Sequence, residues 1–351
     1  MSSCVSIVEQ HPRTLGEVLP VFAELEQGRS LALLPPVGQP VASSPPPAGA
    51  EVWLGVTSSG STGHPKLVWR RWSELRAAAR RSDSVREWCW ASPFDAWSFA
   101  GVQVALQAWI NGGRAVSLLG DWTDRWRTLT TERPEALSAT PTFLDLLLQN
   151  EPAERVGWMP RQVTLGGEPL RAGLGNRLRA RWPDARFTAI YAAAEFGVLL
   201  KTQRVDGWYE TALLAARWAG WRAPEGVLEV NENGTWRSTG DCVEVRGDLL
   251  RVLGRASEVA NVAGTKVSLS QVGLLAEEVE GVARAVAVAE PNPVTGQVVA
   301  LRYAPVPGAD PTVVQERLEA RLRQDLPKPA WPRRWVVAEL GPDQNAKRGL
   351  R

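Results

Sequence analysis

The pattern of apolar and polar positions changes character once along the chain. Up to about residue 190, short apolar runs alternate with longer segments whose apolar residues recur every three to four positions. The spacing predicts an amphipathic helix within 13–29 and a short strand at 31–34. Strands follow at 51–56 and 67–69, then helices at 72–88 and 99–110. Strands at 115–119 and 136–140 lead to a helix over 141–148, whose Pro141 suits a first helical turn. A strand at 162–165, a helix at 171–181 and a strand at 187–190 complete the series. Strand–helix alternation of this kind predicts an α/β domain with mostly parallel sheets flanked by helices. Ligands of such sheets sit at the C-terminal ends of strands.

From about residue 227 short strands replace the alternation, at 228–230, 243–245 and 249–253. After Gly254 the pattern becomes compact α+β, with strands near 259–262, 285–289, 298–303 and 335–337 and helices over 270–279 and 312–322. The expected organisation is a large domain over 1–254 and a small, mobile α+β domain over 255–351. Residues 35–50, rich in Pro, Gly, Ser and Ala, read as a loop or linker.

Composition narrows the classes. With 40 Lys and Arg against 38 Asp and Glu, the net charge of +2 predicts no general affinity for nucleic acid or anionic membranes. Arginine pairs such as Arg70-Arg71 read as solvated surface. Cys4, Cys89 and Cys242 form neither a metal pattern nor a disulfide framework, so a reducing cytoplasm is expected. No apolar run is long enough to span a bilayer, and no signal peptide is evident. Only His11 and His64 are present, which weakens a serine- or cysteine-hydrolase reading.

The candidate chemistry begins at Ser58-Ser59-Gly60-Ser61-Thr62-Gly63-His64-Pro65-Lys66. Small residues let backbone amides wrap an anion, hydroxyls donate to its oxygens and a lysine adds charge, which suits a polyphosphate. His64 and Pro65 separate the lysine from the last glycine, so the loop is not the common NTPase form. A plain turn between two strands is the competing reading.

The order S-S-G-S-T-G-x-P-K resembles the signature loop of the acyl-adenylate-forming superfamily: acyl-CoA synthetases, peptide-synthetase adenylation domains and luciferases. Further segments resemble that family in the same order. Gly166-Gly167-Glu168-Pro169-Leu170 resembles its adenine-side turn. Tyr191-Ala192-Ala193-Ala194-Glu195 resembles Y-G-x-T-E, with Ala192 for Gly and Ala194 for Thr. Ser238-Thr239-Gly240-Asp241 matches S-T-G-D. The run from Gly254-Arg255 through Ser257, Asn261, Gly264 and Lys266 resembles the family's hinge segment. Asn345-Ala346-Lys347 resembles its N-G-K ending. Pro93 and Gly101 fit its P-x-x-H-x-x-G segment, but Ser98 stands in place of the His that lies towards the acid pocket. The stretches before Ser58 and between Glu195 and Asp241 are shorter than the family's.

The resemblance implies an AMP-forming acid–CoA ligase with ATP, Mg²⁺ and coenzyme A, acting on a small carboxylic acid. It implies that Ser58, Ser59, Gly60, Ser61, Thr62, Gly63 and Lys66 grip the β/γ-phosphates. Glu195 would serve Mg²⁺, while Gly167, Glu168 and Tyr191 frame adenine. Asp241 and Arg255 would hold the ribose. Ser257 would be the hinge, Gly264 and Lys266 the thioester-step face, and Lys347 the adenylation lysine. The chain looks most like the short o-succinylbenzoate–CoA ligases of menaquinone and phylloquinone synthesis. Another aryl or acyl acid, or a non-catalytic nucleotide-binding role, are the alternatives.

Overall fold

A computed structural model describes residues 8–338 apart from 37–40, 42–44, 48, 60–64, 153–156, 171–172, 278 and 307. They fall into two compact units, one drawn from Met1–Gly207 and one from Trp208–Ala346.

The first unit holds two sheets. In the four-stranded sheet, Val8–Gln10, Leu31–Leu33 and Trp53–Ser59 run parallel, and Pro65–Arg71 closes it antiparallel to Trp53–Ser59. Helices Leu15–Glu26 and Phe99–Ile110 supply Leu15, Val18, Phe22, Val102 and Leu106 to a core shared with Leu31, Leu54 and Val56 from the strands. In the six-stranded sheet the central strands Cys89–Ser92, Ala136–Ala139, Gln162–Gly166 and Arg186–Ala193 are parallel, as is the edge strand Arg114–Ser117. The other edge, Gly197–Thr202, is antiparallel. Helices Trp122–Glu132, Pro141–Gln149 and Leu174–Arg181 pack around a second core containing Trp126, Trp158 and Trp182. Their rings meet edge-on, with centroids 6.4 Å and 5.8 Å apart.

The second unit is antiparallel apart from one pairing. Trp208–Glu210, Leu249–Arg255, Thr235–Arg246, Val227–Glu232 and Trp221–Arg222 form one sheet in that spatial order. The other sheet contains Val259–Val262, Thr265–Ser268, Val282–Asn292, Gly296–Pro305 and Arg334–Val337, the last parallel to Gly296–Pro305. Helices Leu269–Glu277 and Pro311–Asp325 cover a core of Val272, Leu301, Tyr303, Leu318 and Leu322. The α/β class with parallel-containing sheets flanked by helices is as the sequence predicts. Compactness groups residues 208–254 with the tail, whereas the expected boundary at 254/255 concerns rotation.

One expectation changes. The helix expected over 72–88 stops at Ala78. There the backbone is captured from outside: Arg80 N–H donates to Gln107 Oε1 at 3.2 Å, Gln107 Nε2 donates to Arg80 O at 2.7 Å, and Ser82 N–H donates to Asn111 Oδ1 at 2.8 Å. Ser238–Asp241 lies inside the strand Thr235–Arg246.

Both described cysteines are buried free thiols. Burial pushes the Cys89 thiol up to about 11, against a partial opposing pull from Arg114. Burial also raises Cys242, opposed by Lys266. Both are therefore protonated at pH 8, and the thiolate is the reactive form. In a Cys4→Ser background, the native protein is expected to react with a disulfide reagent at pH 8 about 100-fold more slowly than the urea-unfolded chain, which takes up two equivalents. Rapid native labelling of either thiol would contradict this burial.

Candidate active site

The first unit gathers one group of candidate residues. Ser58 and Ser59 close the strand Trp53–Ser59, and Lys66 is the second residue of the returning strand Pro65–Arg71. The register pairs Ser58 with Lys66 and Ser59 with Pro65 in an antiparallel ladder. Gly60, Ser61, Thr62 and Gly63 lie outside the described residues. Lys66 is exposed and makes no ion pair among the described residues. Beside the incoming strand, Thr57 N–H donates to Trp97 O at 3.0 Å, and Thr57 forms a parallel bridge to Ser98.

Ser98 caps helix Phe99–Ile110. Its Oγ accepts from Gly101 N–H at 3.0 Å and donates to Asp95 O at 2.7 Å, satisfying a first-turn amide. The hydroxyl at the position read as facing the acid pocket is thus engaged in helix capping. Gly101 is required by close approach: a Cβ there would stand 2.1 Å from Asp95 O.

Gly166 ends its parallel strand and Gly167 turns the chain. Glu168 Oε2 then accepts from Thr142 N–H at 3.2 Å. That places a carboxylate at the N-terminus of helix Pro141–Gln149, where the helix dipole favours negative charge. Tyr191, near the C-terminal end of the adjoining strand, is 8% exposed. Ala194 is buried in the core of the four-stranded sheet, so a methyl group stands where the resemblance expects a hydroxyl.

Glu195 sits in the connection Ala194-Glu195-Phe196 between two antiparallel strands, whose flanking pair is Ala193 and Gly197. Its backbone is held from across the unit. Arg70 Nη1 donates to Glu195 O at 2.7 Å and to Ala194 O at 3.4 Å. The Glu195 carboxylate is half-buried and makes no hydrogen bond or ion pair among the described residues. Arg71 is surface, as expected, and pairs with Glu51 at 2.9 Å. Arg70 is not: it is 8% exposed. Strand periodicity carries the missed signal, because Lys66, Val68 and Arg70 share one face and Val68 packs on the core.

The second unit gathers another group. Asp241 and Arg255 are register partners on neighbouring strands, and Arg255 Nε lies 3.2 Å from Asp241 Oδ1. Asp241 is buried, while the Arg255 side chain is 46% exposed and its Nη1 also donates to Thr239 O at 3.1 Å. Thr239 Oγ1 donates to Leu228 O and accepts from Asp241 N–H, which locks the bulged stretch. Gly240 has φ of +72°, a conformation that costs an L-residue energy and bends the strand at this motif. Ser257 lies in the single 3₁₀ turn Ala256–Glu258 between the two sheets, and Glu258 Oε2 accepts from Ser270 Oγ at 2.8 Å. Gly264 turns the hairpin of Val259–Val262 and Thr265–Ser268, and Lys266 is exposed on its second strand. Lys347 lies outside the described residues.

Residues 6–224 match the family described as AMP-binding enzyme, and the chain belongs to that family. It is 26% identical over 293 residues to the 3-hydroxybenzoate–CoA/4-hydroxybenzoate–CoA ligase of Thauera aromatica, a match over 70% of this chain and 54% of the relative. The chain thus spans about half the length of that curated relative. Among solved structures, an E. coli MenE variant with bound OSB-AMS matches with a TM-score of 0.64 and 14% identity, over 95% of this chain and 84% of the other. The anthranilate CoA ligase AuaEII in complex with anthranoyl-AMP matches with 0.64 and 15% identity, over 96% and 74%. The amide bond synthetase McbA of Marinactinospora thermotolerans matches with 0.60 and 20% identity, over 96% and 76%. These likenesses establish the adenylate-forming fold.

Proposed function

We propose that the chain is an ATP-dependent carboxylic acid–CoA ligase acting through an acyl-adenylate. The observation that carries this reading is the tie between the two phosphate-side motifs. Arg70, on the strand leaving the Ser58–Lys66 loop, holds the backbone of Glu195, whose carboxylate makes no hydrogen bond or ion pair among the described residues. In the first half-reaction a carboxylate oxygen attacks the α-phosphorus of ATP and pyrophosphate leaves. In the second, the coenzyme A sulfur attacks the acyl carbon and AMP leaves. No side-chain nucleophile is required.

The loop residues and Lys66 would bind the β/γ-phosphates, and Gly167, Glu168 and Tyr191 the adenine. Asp241, aligned by Arg255, would accept hydrogen bonds from the ribose hydroxyls. Among the described residues no three His, Cys, Asp or Glu side chains cluster as a metal cage. One open carboxylate fits Mg²⁺ held largely by substrate phosphates and water, and Glu195 would be that ligand. The bound ion would neutralise charge on the phosphate oxygens. Rotation of 255–351 about Ser257 would exchange Lys347 for the Gly264–Lys266 face between half-reactions.

An aryl acid is the favoured substrate, with o-succinylbenzoate first. The hydroxybenzoate–CoA ligase, MenE and anthranilate ligase likenesses support that choice. Pyrophosphate release should be measured with ATP, Mg²⁺ and o-succinylbenzoate, 3- and 4-hydroxybenzoate and anthranilate. Release with at least one acid, followed by coenzyme A-dependent thioester formation, is expected. The buried Ala194 methyl favours a second reading, a non-catalytic nucleotide-binding relative, and no release with any acid would support it.

A further inference from the structure

Arg70 does more than fill the core. A buried guanidinium must find acceptors, and this one reaches an element 125 residues away in sequence. Its Nη2 donates to Glu74 Oε2 at 3.1 Å, while its Nη1 turns to the backbone carbonyls of Ala194 and Glu195. Those carbonyls lie in the short connection between strands Arg186–Ala193 and Gly197–Thr202, beyond the last residues of the ladder. Buried carbonyls without a ladder partner need a donor from elsewhere, and Arg70 supplies it.

The geometry separates two functions of Glu195. Its backbone oxygen is fixed by Arg70, while its carboxylate makes no hydrogen bond or ion pair among the described residues. The charge of Arg70 meets the Glu74 carboxylate, not that of Glu195. The Glu195 carboxylate is therefore left open to a cation, while its backbone is tied to the strand Pro65–Arg71. A forked guanidinium can hold two groups in one plane, which an ammonium on a flexible stem cannot reproduce.

We propose that Arg70 is the positioning residue for Glu195, setting the affinity for the magnesium–nucleotide complex through the Ala194–Glu195 backbone. The inference rests on the reading of Glu195 as the magnesium-side carboxylate. It assigns Arg70 no contact with substrate.

The test is equilibrium binding of ATP to the full chain across a Mg²⁺ titration, without acid, alongside the pyrophosphate assay. Arg70→Met is expected to raise the Mg²⁺ concentration for half-maximal ATP binding by about 10-fold, the range seen when a partner behind a metal ligand is lost. Arg70→Lys should recover part of that shift, and it keeps the test open should Arg70→Met fail to fold. In the pyrophosphate assay, KM for the acid should stay within about twofold, because the proposal places Glu195 on the phosphate side and not against the acid. Adding Arg70→Met to Glu195→Gln should cause no further loss of Mg²⁺ dependence, since residues acting as one unit are not additive. Wild-type ATP binding that ignores Mg²⁺ would overturn the proposal. So would folded Arg70 variants with an unshifted Mg²⁺ titration, or full additivity with Glu195→Gln. Mg²⁺-dependent binding weakened by Arg70→Met, without pyrophosphate release from any acid, would uphold the positioning role and sink the ligase reading.

Discussion

Replacing Lys347 with alanine is expected to slow acyl-adenylate formation by about 10²- to 10³-fold, the loss that follows removal of one group aimed at developing charge. The carboxylate and the α-phosphate are both anionic, and they must meet. An ammonium placed between them lowers the repulsion most where the new bond is forming. The second half-reaction has no such need, because the mixed anhydride is already made and the incoming group is a thiol. Thioester formation from preformed acyl-AMP and coenzyme A should therefore stay within a few-fold of wild type. Single-turnover assays of the two halves check this, with pyrophosphate release for one and free AMP for the other. Equal losses in both halves would remove Lys347 from the role proposed for it.

The largest expected effect on stability lies in the tryptophan core of the six-stranded sheet. Trp182 is fully buried at the end of helix Leu174–Arg181, with its ring edge-on to Trp158 at 75°. Truncating a buried tryptophan removes a large apolar surface and leaves a cavity that neighbours fill only partly. Trp182→Ala should cost about 3–5 kcal/mol. Trp182→Phe should cost less than about 1.5 kcal/mol, because a ring is retained. The buried indole N–H also has no hydrogen-bond partner among the described residues, so its removal orphans nothing. Trp158 differs, since its N–H donates to Pro134 O at 2.9 Å. Urea unfolding followed by near-ultraviolet circular dichroism would rank the three proteins. A Trp182→Ala midpoint equal to that of Trp182→Phe would contradict the packing described.

Local pattern carried much of the first unit. Helix Phe99–Ile110 has the expected bounds, and Pro141 opens Pro141–Gln149 as its fixed φ allows. Several elements of that unit escaped notice, Val8–Gln10 and Gly197–Thr202 among them. Cys89–Ser92 is buried throughout, so its short apolar run lacks the alternation that marks a strand. Trp122–Glu132 is polar on most positions, and its clearest mark is Asp121, whose side chain accepts from Asp124 N–H. The strand position of Ser238–Asp241 was hidden by Gly240, which reads as a turn residue yet sits in a bulge. Of the candidate site, the motif residues were legible individually. Their supports were not, because Arg70 to Glu195 and Asp241 to Arg255 are cross-strand or long-range pairings with no local spacing to announce them.

The reach of Arg70 also dictates an order of events as the chain is made. The four-stranded sheet is completed at Arg71, yet the carbonyls that complete the arginine's setting belong to residues 194 and 195. On the ribosome, that sheet would wait for more than a hundred further residues before its buried cation acquired those two acceptors. The first unit is thus closed late, and a nascent chain released before residue 195 would carry a sheet whose buried arginine has Glu74 but lacks its two backbone acceptors.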